Sequence, residues 1–140
     1  MNTETIDIIA ADLIAAARAA REHAYAPYSG FQVGAAVRTR DGRVFAGCNV
    51  ENASYGLCNC AERTVLFAAI ASGCRPHDFT HLAVIAKTAG PCAPCGACRQ
   101  VMLELGGAQL TVIQANLQGA VSISTAAGLL PGAFSFDPSC

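Results

Sequence analysis

Five of the eight cysteines in this chain fall in two short stretches. The first, "YGLCNCAERTVLF", carries Cys58 and Cys60 with Glu62 and Arg63 directly after them; the second, "GPCAPCGACRQVM", carries Cys92, Cys95 and Cys98. A tetrahedral metal site takes four ligands, so the two stretches hold more thiols than one site can use. Cys95 and Cys98, three apart, share one face of a first helical turn. A thiolate from the start of another helix would complete three legs of a zinc tetrahedron. Helix starts favour anions, because their first amides lack intrahelical partners and the dipole is positive there. Two helices starting at one point would therefore stabilise a cluster of thiolates.

A catalytic zinc keeps one position open for water, whereas a structural zinc is closed by a fourth protein ligand, a place that Cys58 or Cys92 could fill. Three thiolates leave the metal unit negative overall, which weakens its pull on the proton of a water. A base then matters more: Glu62 is close enough along the chain to act beside Cys60, and Arg63 to offset the excess charge. Plainer readings exist for the same residues. Asn59-x-x-Glu62 resembles a capping box. Cys95-x-x-Cys98 and Cys92-x-x-Cys95 could each be a structural zinc pair or a redox pair. The combination is more specific than its parts. Cys60-Ala61-Glu62 at one helix start and Pro94-Cys95-Gly96-Ala97-Cys98 at another fit the zinc-deaminase pattern, in which the glutamate moves protons and does not bind the metal.

The elements that must position these residues follow from periodicity. Apolar residues at Ile6, Ile9, Ala10, Leu13, Ala17 and Ala20 predict an amphipathic helix from Thr5 to about His23. "FQVGAAVRT" and "RVFAGCNVE" are strands joined at Asp41-Gly42, a dipeptide that favours a tight hairpin. Asn59 is the expected N-cap of a second helix that runs to a glycine stop at Gly73, and Pro94 suits the first turn of a third that runs to Gly106-Gly107. "HLAVIAK", "QLTVIQAN" and "AVSIS" are further strands, and "TAAGLLPGAF" predicts a last short helix ending at Pro131. The order α-β-β-α-β-α-β-β-α predicts an α/β fold, a three-layer α/β/α arrangement on a mixed sheet of about five strands, as one domain over residues 1–140.

Composition excludes several classes. The chain is 53% hydrophobic and only 14% charged, with a net charge of −1, one lysine and eight scattered arginines. No basic patch exists to neutralise phosphates, so nucleic acid is not an expected partner. The N-terminus begins with acidic residues and no apolar run is long enough to span a bilayer, which predicts a cytoplasmic protein without membrane association. Eight cysteines in such a chain point to metal binding rather than a disulfide framework. The apolar bias also suggests surface hidden in an oligomer.

Taken together, "YAPYSGFQVGAA", "CNVENASY", "CNCAERT", "PCGACRQV" and "LLPGAF" resemble the small cytidine deaminases, from about Tyr25 to Phe134. The resemblance implies a zinc-dependent hydrolase converting cytidine and 2′-deoxycytidine to the uridines with release of ammonia, acting on a free nucleoside, and homotetrameric. It implies one Zn²⁺ per chain on Cys60, Cys95 and Cys98, with Glu62 as acid and base and Arg63 bonded to a zinc-bound thiolate. Asn49 and Glu51 match the pair that binds the ribose 3′-hydroxyl, and Phe31 an aromatic that stacks on the nucleoside. Ala61 and Ala93 join the substrate-contacting positions, the Ala93 carbonyl facing the departing amine. Phe134 matches a residue inserted into a neighbouring subunit's site. Two alternatives stay open: a deaminase of a modified cytosine nucleoside, N4-substituted or blasticidin-like, and a structural four-thiolate zinc module.

Overall fold

Five strands form one sheet in a computed structural model that describes residues 3–139. They are β1 (Val33–Thr39), β2 (Val44–Cys48), β3 (Phe79–Ala86), β4 (Thr111–Asn116) and β5 (Val121–Thr125), in the order β2-β1-β3-β4-β5. Pairing is antiparallel except between β3 and β4, so the sheet is mixed, as expected from the element order. The hairpin between β1 and β2 turns at Asp41-Gly42, where Gly42 takes a φ of +91° that a side chain would resist.

Helix α1 (Thr3–Arg21) covers one face; α2 (Ala61–Ala71) and α3 (Gly96–Gly106) cover the other, with a short α4 (Ala126–Leu129) packed beside α3. The two faces have separate cores. Leu13 and Ala17 of α1 pack with Ala36, Ala83, Ile85 and Ile113. Val65, Leu66 and Met102 pack with Val37, Leu82, Val84 and Val112. Neighbours along β3 thus go to opposite layers, which is why its residues from His81 to Ala86 are buried without a break.

Strand direction decides where the helices begin. Both β2 and β3 are antiparallel to β1 and so run the same way. Each leads through a loop into a helix on the same face, so α2 and α3 start at one end of the sheet. Helix α2 lies directly on β2: a Cβ added at Gly47 would stand 3.1 Å from the Val65 nitrogen.

Several boundaries differ from the sequence expectations: β2 ends at Cys48, before Asn49 and Glu51, and α4 ends at Leu129 rather than Pro131. Helix α1 spans Thr3–Arg21 rather than Thr5 to His23, and the side chain of Ile6 lies outside the described residues. Asn59 is not the N-cap of α2; Cys60 is. Asn59 is instead extended, exchanging backbone hydrogen bonds of 3.0 and 2.9 Å with Val50 while its side-chain amide donates to Thr64 Oγ1. Pro94 likewise precedes the first turn of α3, because Cys95 is the extended N-cap residue.

Candidate active site

Cysteine occupies the N-cap of both α2 and α3, and neither thiol caps its own helix with a hydrogen bond. The sulfurs of Cys60 and Cys95 therefore point to a shared centre, 3.8 Å apart, joined by the buried Cys98 in the first turn of α3. All three Sγ atoms lie within 4.8 Å of one another. Thiolates held at about 2.3 Å from a tetrahedral zinc stand about 3.8 Å apart, so this donor set fits zinc as it stands. Cys58 and Cys92 are not in the cluster. The Cys58 sulfur accepts from the Asn52 amide at 3.2 Å, and Cys92 is buried in the loop before Pro94. Among the described residues no fourth thiol closes the site, against the structural four-thiolate reading.

The surroundings favour a thiolate at Cys60. The Cys98 thiol beside it, together with Arg63 and Cys95, brings Cys60 down to about 5 despite burial. The shared hydrogen bond with Cys60, then burial and the nearby Glu62, pushes Cys98 up. Arg63 turns inward rather than to solvent: its Nη2 lies 3.3 Å from Cys60 Sγ. Its Nε is buried without a hydrogen-bond partner.

Glu62 occupies the second position of α2 and is 3% exposed. Since Cys60 and not Asn59 caps the helix, the Asn59-x-x-Glu62 capping box is not formed. The carboxyl is free for another role at the foot of the cluster. Burial pushes it above its ordinary value, with a hydrogen bond from Cys98 opposing and the charge on Cys60 adding to the rise. A buried acid with a raised pKa holds its proton to higher pH than an exposed one and can pass it to a neighbouring group.

Asn49 and Glu51 lie just beyond the end of β2, on either side of Val50, whose backbone bonds to Asn59 place them alongside the segment that leads into Cys60. Their side chains are already engaged. Asn49 accepts from the Val33 amide at 2.8 Å and donates to the Phe31 carbonyl at 2.7 Å. The Glu51 carboxylate takes the amides of Tyr28 and Ser29, at 2.9 and 3.1 Å, and the Ser29 hydroxyl. These bonds, that from the Ser29 hydroxyl foremost, hold Glu51 below its usual range. Phe31 is half exposed and not part of the core. Ala61 is buried at the head of α2, and Ala93 is exposed in the loop before Pro94. Phe134, 74% exposed, does not plug its own chain; its carbonyl accepts from Gln100 at 3.0 Å.

Two further residues escaped the sequence reading. Ser29 gathers Glu51 and the Phe31 amide, which its hydroxyl accepts at 3.0 Å; a serine before glycine at a turn was the available signal. Arg99 donates to the carbonyls of Pro94 at 2.7 Å and Leu129 at 2.9 Å, tying the turn before Cys95 to α4. Nothing local marks that role.

An α/β/α layer structure that brings three thiols and a buried carboxyl to converging helix starts has the donor set of a zinc hydrolase. Comparison narrows the class. Residues 9–114 match the model of the cytidine and deoxycytidylate deaminase zinc-binding region. A cytidine deaminase of Halalkalibacterium halodurans is 57% identical over 122 residues, covering 87% of this chain and 91% of that protein. One of Sporosarcina psychrophila is 52% identical over 123 residues, covering 88% and 89%. The crystal structure of cytidine deaminase from Burkholderia pseudomallei superposes with a TM-score of 0.87 at 60% identity, over 96% of this chain and all of that one. The chain belongs to the cytidine and deoxycytidylate deaminase family.

Proposed function

We propose that this chain is a cytidine deaminase, hydrolysing cytidine and 2′-deoxycytidine to uridine and 2′-deoxyuridine with release of ammonia. The observation that carries the reading is the buried Glu62 carboxyl beside the three-sulfur cluster at the start of α2. Cys60, Cys95 and Cys98 would hold a zinc ion, which would supply Lewis-acid activation of water at neutral pH. Glu62 takes the proton of the attacking water and delivers it to N3 of the cytosine ring, which makes C4 more electrophilic. The same carboxyl serves the transfer that lets the amine leave from C4. Its raised pKa suits a group that must hold a proton between two transfers. Arg63 offsets the negative charge of three thiolates through its contact with Cys60.

Binding is assigned to the loop segments around the cluster. Asn49 and Glu51 hold the ribose 3′-hydroxyl, Phe31 stacks against the nucleoside, and Ala61 and Ala93 contribute backbone, the Ala93 carbonyl accepting from the amine. In support, Arg99 occupies the neighbouring Pro94 carbonyl, which fixes the Pro94–Cys95 peptide one residue beyond Ala93. Sugar contacts orient the base, so free cytosine is a poor substrate. The whole of residues 1–140 forms one deaminase domain, assembled as a homotetramer in which Phe134 reaches a neighbouring site. Exposed Tyr55, Leu57, Phe134 and Phe136, each at least 70% accessible, favour such burial. A cytoplasmic setting is proposed because thiolate ligands persist where thiols stay reduced; among the described residues no helix is long and apolar enough to cross a membrane.

Glu62→Gln tests the reading. The variant should retain one zinc per chain while its turnover, followed as loss of cytidine absorbance and release of ammonia, falls at least about a hundredfold. Turnover at the parent rate would remove Glu62 from the mechanism, and a parent that releases no ammonia from cytidine would remove the function.

A further inference from the structure

Ser29 joins the two parts of the site assigned to the nucleoside. Its hydroxyl has a single proton, which it donates to Glu51 Oε2, while the same oxygen accepts from the Phe31 amide at 3.0 Å. Its own amide donates to Glu51 Oε1 at 3.1 Å, next to the Tyr28 amide at 2.9 Å. Gly30, with a φ of +68°, allows the reversal that brings Ser29 and Phe31 within reach of one hydroxyl, and its amide closes the turn on the Ala26 carbonyl at 2.9 Å. Ser29 and Glu51 line a common cavity of about 230 Å³ with Tyr28, Tyr55 and Cys58.

We infer that Ser29 is a positioning residue for sugar recognition: it fixes the Glu51 carboxylate in one orientation and couples it to the backbone of Phe31. The inference rests on the reading of Glu51 as a ligand of the ribose 3′-hydroxyl. A glutamate in a loop has three torsions to lose on binding, and a carboxylate already fixed in place loses none of them with the substrate. Oε1 is engaged by two amides, whereas Oε2 takes one hydroxyl and retains acceptor capacity for a ligand. The bond from Ser29 thus leaves the recognising oxygen available while setting its direction. Ser29 is exposed and its hydroxyl supports no core contact, so its removal bears on the site rather than on folding.

The test compares cytidine with 3′-deoxycytidine in the zinc-loaded parent, Ser29→Ala and Ser29→Thr. Charge-assisted hydrogen bonds contribute enough that the parent's preference for cytidine, as a ratio of kcat/KM values, should fall about tenfold in Ser29→Ala, chiefly through the KM for cytidine. Ser29→Thr, which keeps the hydroxyl, should restore it. A general loosening of the loop would slow both substrates alike and leave the ratio where it was. A parent that prefers cytidine together with a Ser29→Ala variant of equal preference overturns the inference and leaves the Glu51 assignment standing. A parent with no preference overturns both.

Discussion

Gly34→Ala measures how closely α1 is seated on the sheet. A Cβ at Gly34 would stand 1.9 Å from the Ala17 carbonyl oxygen and 2.8 Å from the Arg21 nitrogen. An ordinary carbon–oxygen contact is about 3.3 Å, so the methyl is about 1.4 Å short of room, and what it meets is backbone rather than a yielding side chain. Helix α1 must then lift from β1. Leu13 and Ala17, 1% and 0% exposed, lose close packing with Ala36, Ala83, Ile85 and Ile113 as it does. Overpacking of a tight core costs about 1–3 kcal/mol, and a clash with helix backbone belongs at the top of that range, about 3 kcal/mol. With an unfolding entropy of about 2.1 cal/mol/K per residue, the thermal midpoint should drop by about 10 °C. The assay is urea and thermal unfolding of zinc-loaded protein at one fixed concentration, with zinc content measured in parallel. The zinc cluster lies on the other face of the sheet, so one zinc per chain should remain. A loss below about 1 kcal/mol would refute the close approach of α1 to β1 on which the layer packing rests.

Three other outcomes are expected. Cys58→Ser and Cys92→Ser should each keep one zinc per chain by elemental analysis, since neither sulfur belongs to the cluster; loss of zinc from either would restore the four-thiolate site. Arg99→Ala removes two charge-assisted bonds, to Pro94 and Leu129, and should weaken zinc retention against a chelator by about tenfold, with Arg99→Lys intermediate; undiminished retention would show that the turn before Cys95 holds itself. Burial, then the nearby Arg38, lowers the pKa of His81, which bonds Thr80 through Nδ1 at 2.8 Å. The unfolded chain therefore takes up this proton first as pH falls through about 6.5. His81 contributes stability above that pH that is lost below it. His81→Gln should flatten the dependence of the thermal midpoint between about pH 5 and 7; an unchanged slope would assign the loss to other groups.

Periodicity carried most of the fold. β-rich runs on either side of Asp41-Gly42 marked β1 and β2, and the apolar runs of β3 and β4 read as buried strands because both faces of the central sheet are covered. Strand order was not legible, since it depends on which strands exchange hydrogen bonds across loops rather than on any local pattern. The helix starts were each misplaced for a chemical reason. Sequence rules for N-caps reward side chains that accept from the first amides. Cys60 and Cys95 occupy those positions without capping, which leaves their sulfurs free for a metal. The metal ligands and Glu62 were legible because their chemistry is local to two helix starts. Ser29 and Arg99 were not, because each acts on groups brought to it by the tertiary fold.

The same displacement explains how the glutamate comes to be buried beside the sulfurs. Were Asn59 the cap, Glu62 would sit at the third helical position, where its carboxylate reaches back to the cap amide. With Cys60 as the cap the register moves by one, and the Asn59 amide is taken by the Val50 carbonyl at 2.9 Å. That bridge does two things at once. It denies Glu62 a capping partner, and it brings Asn49 and Glu51 alongside the strand that delivers Cys60. The convergence of α2 and α3 then follows from β2 and β3 running the same way, so the three thiols, Glu62, Asn49 and Glu51 are gathered by backbone pairing. A substitution that broke the Val50–Asn59 bridge would therefore impair sugar discrimination and zinc retention together, whereas changes at Glu51 or Cys98 alone separate the two.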